Sequence, residues 1–124
     1  DILKFKELSK FIRDDNVSDF ILGDNAVSTV TNLLKNDGVG VVNATIPDGG
    51  TFPIHEHDVY EWLIPYAGTM KIETGGRVVI VGPDKEMKYI AFPPGVSHTV
   101  SAVGDVGVIG ITVPPDAGYP GDEL

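Results

Sequence analysis

From residue 26 to residue 113 the chain runs in short apolar stretches that alternate with polar positions and stop at turn residues. AVSTVTNLL (26–34) is rich in β-branched side chains, KNDG (35–38) is a turn ending in glycine, and VGVVNATI (39–46) reads as the returning strand. After the turn PDGG (47–50) come YEWLI, TMKIE, RVVIV and MKYIAF, separated by TGG, GPDK and PPG. SHTVSAV and VGVIGITV complete the series. About eight short strands joined by turns predict an all-β antiparallel sandwich or barrel. No long helical run separates them, so a parallel α/β sheet is disfavoured. Pro65, inside YEWLIPYAG, cannot donate to a sheet ladder and predicts that its strand ends or kinks there.

The two ends read differently. ILKFKELSKFI (2–12) has apolar residues at 2, 3, 5, 8, 11 and 12, closer to helical than to alternating spacing. It predicts a short N-terminal helix or arm over residues 1–25, with DDNVSD as a loop, ahead of a barrel domain over 26–124. PPDAGYPGDEL, at the other end, reads as irregular.

Composition narrows the classes of function. At 124 residues the chain is one domain with room for a sizeable core. A formal net charge of −9 and no Lys/Arg cluster oppose nucleic-acid binding. The absence of cysteine removes disulfides, thiolate zinc sites and cysteine nucleophiles together. The longest apolar runs, such as Val78–Val81, are far too short to span a bilayer, and a cytoplasmic location is the default expectation.

Candidate chemistry centres on GGTFPIHEHDVYEW (49–62), which holds two of the three histidines in the chain. His55, His57 and Glu61 share parity, so a regular strand projects all three to one face. On a barrel, such a face pointing inward is costly unless something satisfies its polar groups, and a metal ion does so directly. His98, in FPPGVSHTV, starts a later strand that could pass opposite the first. Three imidazoles and one carboxylate suit one divalent transition metal (Fe, Mn, Ni, Cu or Zn) and leave positions open for water or substrate. An H-x-H pair alone is weak evidence, because paired surface histidines are common.

The spacing Gly49-x5-His55-x-His57-x3-Glu61-x6-Gly68 resembles the first motif of the cupins, and Pro93-x-Gly95-x2-His98 resembles the middle of their second. Met87 stands where that second motif usually opens with glycine, and Ala102 where it usually closes with asparagine. The resemblance covers roughly residues 26–113 and implies a double-stranded β-helix, or jelly-roll barrel. It also implies the metal ligands His55, His57, Glu61 and His98. Cupins of this size are often homodimers, which sets the same expectation here.

Fold alone leaves the chemistry open, because cupins host dioxygenases, decarboxylases, isomerases, lyases and binding domains. Phe52, Leu63, Met70, Tyr89, Val100 and Ala102 are the candidate pocket residues, and they describe a mainly apolar site for a small organic ligand. Phe92 is a further candidate wall. No catalytic acid or base can be named: Tyr60, Tyr66 and Lys71 face away by parity. Some cupin lyases that cleave dimethylsulfoniopropionate carry a tyrosine two residues beyond the motif glutamate, where this chain has Leu63. A dioxygenase-like, metal-dependent enzyme is the leading reading. A non-enzymatic binding or sensor domain, or a metal-dependent lyase, isomerase or decarboxylase, is the alternative.

Overall fold

The structure is a computed structural model that describes residues 1–23 and 26–121. Its strands are β1 (Leu3–Lys4), β2 (Lys10–Asp14), β3 (Val17–Ile21), β4 (Val27–Lys35) and β5 (Gly40–Ile46), followed by β6 (Thr51–Glu56), β7 (Tyr60–Thr74), β8 (Arg77–Val81), β9 (Ile90–Phe92) and β10 (His98–Val113). Among the described residues a single 3-10 turn, Phe5–Glu7, interrupts them. The strands form one continuous sheet in the order β1-β6-β10-β5-β4-β3-β2, with β7 joining β10 to β8 and β9. This all-β, curled sheet is a jelly roll.

Two long strands close the curl. β10 runs antiparallel to β7 along nearly its whole length, and it also pairs with β6 through its first half and with β5 through its second. Both strands change walls where their register breaks, between Val103 and Gly107. There Gly68 of β7 takes φ +77 and lies so close to β10 that a Cβ would sit 2.1 Å from the Asp105 carbonyl oxygen. Only glycine suits both the left-handed backbone and that approach.

The inward faces follow the expected alternation: Phe20, Val30, Val42, Met70, Ile72, Val81 and Val108 are buried together. Fully burying a side chain of this kind contributes about 1.5–3 kcal/mol, so the barrel interior is the main source of stability.

Two sequence expectations change, and a third is narrowed. No helix forms over residues 2–12; the segment is β1, the 3-10 turn and the edge strand β2. Its apolar spacing serves two anchors, since Phe5 and Leu8 are buried while Ile2, Leu3, Phe11 and Ile12 stay exposed. DDNVSD is not a simple loop, because Val17–Ile21 form β3 and pair with both β2 and β4. Of the two outcomes expected at Pro65, the strand does not end, since β7 continues through it opposite Val108, and the irregularity falls beside it instead. A register shift beside it, between Gly107 and Val108, leaves Tyr66 as an extra residue on β7. A bulge is where a sheet tolerates a missing N–H. No helix of the described residues is long and apolar enough to cross a membrane.

Candidate metal centre

His55 lies near the end of β6, paired in register with His98 at the start of β10. His57 and Glu61 do not extend β6 as one regular strand. The chain breaks at residues 57–59, and Glu61 sits at the start of β7, paired with Phe92 of β9 and Thr112 of β10. The turn nonetheless returns all four side chains to one buried place. One ring nitrogen from each of His55, His57 and His98 falls within 4.8 Å of the others. The Glu61 carboxylate comes to 3.0 Å from His57 Nε2 and 3.3 Å from His98 Nε2.

Hydrogen bonds fix how the rings face. His55 Nδ1 donates to the Pro53 carbonyl at 2.7 Å, and His98 Nδ1 to the Val96 carbonyl at 3.0 Å. A carbonyl only accepts, so both rings carry their proton on Nδ1 and turn the Nε2 lone pair inward. His98 is also held flat against Phe92, with ring centroids 3.8 Å apart and planes 7° from parallel. From the N-terminal segment, the Phe5 ring packs 5.2 Å from His55 and 4.9 Å from His57. Lys4, on β1, anchors that segment through Glu56 and Asp58.

The polar atoms at the centre are not satisfied by one another. Both ring nitrogens of His57, His98 Nε2 and Glu61 Oε1 are buried without a hydrogen-bond partner. The close His57–Glu61 and His98–Glu61 approaches lack hydrogen-bond alignment. Unpaired buried groups are costly, and neutral imidazole nitrogens with a carboxylate are the donor set of a divalent transition ion. The residues present therefore fit a metal.

The electrostatics follow from burial and proximity. Burial, with help from the neighbouring His98, lowers His55 to about 4. Burial works against a charge on His57 too, but the Glu61 and Asp116 carboxylates outweigh it and push His57 up to about 10. Burial also opposes the Glu61 charge, yet His57 and His98 hold that carboxyl well below its usual range. Without metal, then, His57 is an imidazolium beside a carboxylate at neutral pH. A metal must displace that proton. Divalent-ion affinity is expected to rise about tenfold per pH unit between pH 6 and 8, with about one proton released from His57. Titration calorimetry in buffers of different ionisation enthalpy measures both; an affinity that does not change with pH would contradict the assignment.

The cavity beside the centre is small, ≈ 50 Å³, and its wall includes His55, Glu61 and His98. Of the pocket residues expected from sequence, Phe52, Leu63, Met70 and Val100 line it. Ala102 is buried farther along β10, opposite Met70, and is not part of this wall. Tyr89 is 58% exposed and does not reach the site. The short β9 turns Phe92 inward, while Tyr89, just before the strand, faces solvent.

Sequence reasoning missed Phe5, Asp116 and Tyr119. The segment after β10, read as an irregular tail, folds back so that the Tyr119 hydroxyl donates to Glu61 Oε2 at 2.7 Å. Asp116 Oδ2 stands 3.5 Å from His57 Nδ1. A buried aromatic-acid pair in a proline- and glycine-rich stretch was the available signal, but its target lies more than fifty residues away in the chain.

The cupin-domain family model matches residues 42–114, more than half of the chain. This protein is a cupin. No curated protein matches the cupin at the level of sequence. Solved structures similar to it include KdgF from Halomonas sp., at 17% identity and a TM-score of 0.64, covering 86% of this chain and 95% of that one. The Clostridium difficile EutQ protein is 20% identical with a TM-score of 0.64, covering 77% of this cupin and 75% of its own chain. DMSP lyase DddQ from Ruegeria pomeroyi is 19% identical with a TM-score of 0.56; the match covers 63% of this cupin but only 39% of the lyase. At these identities the likeness is one of fold.

Proposed function

We propose that this cupin is a metal-dependent, dioxygenase-type enzyme acting on a small organic molecule, with one divalent transition ion held by His55, His57, Glu61 and His98. The observation that carries the reading is the convergence of three buried imidazoles and a carboxylate with unpartnered atoms, of which His55, His98 and Glu61 stand in the wall of an apolar cavity. The ion would supply Lewis acidity and, if redox-active, the means of using dioxygen.

The chain's own residues set what is recognised. No lysine or arginine lines the cavity. A substrate relying on a phosphate or a second carboxylate would find no cation there besides the metal. Phe52, Leu63, Met70, Val100 and Val108 offer apolar contact, so the favoured ligand is compact and largely apolar, with one polar head directed at the centre. Closure by Phe5 above the histidines keeps bulk water out and strengthens every charge interaction inside. A homodimer is part of this proposal, and sedimentation would test it.

Oxygen uptake tests the activity. With Fe(II) restored to the purified protein, a panel of small enols, β-diketones and phenols is expected to include one that drives oxygen consumption, abolished by chelator. A silent panel accompanied by tight binding of a panel member would overturn the enzyme reading in favour of a ligand-binding module.

A further inference from the structure

We propose that Asp116 and Tyr119, from the segment that follows β10, are positioning residues of the metal centre. On this view they hold His57 and Glu61 in ligating geometry, and metal binding and docking of this segment stabilise each other. The inference rests on the metal reading above.

The four candidate ligands fall into two pairs by how they are oriented. His55 and His98 are set locally, each by a carbonyl two residues before it in the chain. No such local partner serves the other two. Glu61 Oε2 is taken by the Tyr119 hydroxyl at 2.7 Å, which leaves Oε1 buried, unpartnered and free for an ion. His57 Nδ1 faces Asp116 Oδ2 at 3.5 Å, an ion-pair approach without hydrogen-bond alignment, and its Nε2 turns toward Glu61 and the centre. Carboxylate–histidine–metal and hydroxyl–carboxylate–metal contacts of this kind fix ring orientation and raise ligand basicity.

The segment is built to make these contacts. Asp116 N donates to Thr112 Oγ1 at 3.0 Å, and Gly118 N returns to Asp116 Oδ2 at 2.8 Å, which aims the carboxylate. Tyr119 N donates to the Asp116 carbonyl at 3.1 Å and closes the turn. From β2 and β4, Lys10 and Lys35 reach the carbonyls of Gly118 and Tyr119. Two glycines make the room. A Cβ at Gly110 would meet the Tyr119 hydroxyl at 2.7 Å, and one at Gly118 would meet the Phe5 ring at 2.3 Å. Because His57 and Glu61 touch both the ion's place and this segment, any gain in metal affinity from docking must appear equally as a gain in docking from metal.

The test uses the full chain and Co(II) or Zn(II) alone. Tyr119→Phe keeps the ring against Phe5 and removes one hydroxyl; Asp116→Asn keeps the shape and removes the charge. Each is expected to weaken Co(II) binding 10–100-fold and to shift the visible d–d bands of the bound ion, with the circular dichroism of the fold unchanged. In the wild type, Zn(II) is expected to slow hydrogen exchange at residues 116–121. Variants that bind Co(II) with wild-type affinity and spectrum would overturn the positioning role, as would exchange in that segment that ignores Zn(II). A wild-type protein that binds neither metal would overturn the metal reading itself and this inference with it.

Discussion

His57→Ala is expected to empty the metal centre: ion content should fall from about one per chain to none in protein purified without chelator, read by elemental analysis. If a tetrahedral-type site is worth about 10–16 kcal/mol, losing one of four ligands removes about 3 kcal/mol, more than a hundredfold in affinity. The variant should also be less stable without metal, because the substitution strands the buried Glu61 carboxylate beside a void. Removing one partner of a buried pair costs about 3–5 kcal/mol. Denaturant unfolding of the metal-free variant and wild type separates that cost from the loss of the ion. Stoichiometric metal retained in the variant would contradict the ligand assignment.

The second large effect is expected far from any chemistry. At Gly68→Ala the backbone must keep φ +77 while the new methyl meets the Asp105 carbonyl at 2.1 Å. The left-handed conformation alone costs about 1–2 kcal/mol, and the clash with backbone that cannot rotate away should bring the total to about 3–5 kcal/mol. For a domain of this size that is a fall in Tm of roughly 10–20 °C. Gly49→Ala is the control: its φ is +80, but nothing lies within 4 Å of the added Cβ. Equal losses at the two positions would mean that backbone conformation, not the close approach of β7 to β10, sets the requirement for glycine.

These two positions belong to one stretch that was readable in the sequence, for a physical reason. The histidines, the glutamate and Gly68 are each demanded by something local: a ligand atom at one place, or a backbone angle at one bend. The strand series was equally plain, because inward faces alternate with outward ones from β4 to β10. Shared parity implies one face of one strand, whereas the turn at residues 57–59 separates β6 from β7 and still returns these side chains to one place. The N-terminal segment misled because its apolar residues serve different ends. Phe5 and Leu8 plug the barrel, whereas Phe11 sits exposed on an edge strand. Asp116 and Tyr119 escaped notice because their meaning depends on partners at 57 and 61, brought near only by the closed fold.

The order of strands along the chain also bears on how the molecule is made. β10, the last strand among the described residues, is the shared partner of β5, β6 and β7. While the chain emerges from the ribosome, those three strands present bare edges until it arrives. Pairings of such long sequence separation close slowly and leave edges open to wrong partners. His98 travels on that same strand, so the ligand set completes only as the barrel does. A metal ion met earlier would find at most two imidazoles and a carboxylate on an unfinished sheet. On the metal reading proposed above, synthesis and metal capture would be kept in sequence.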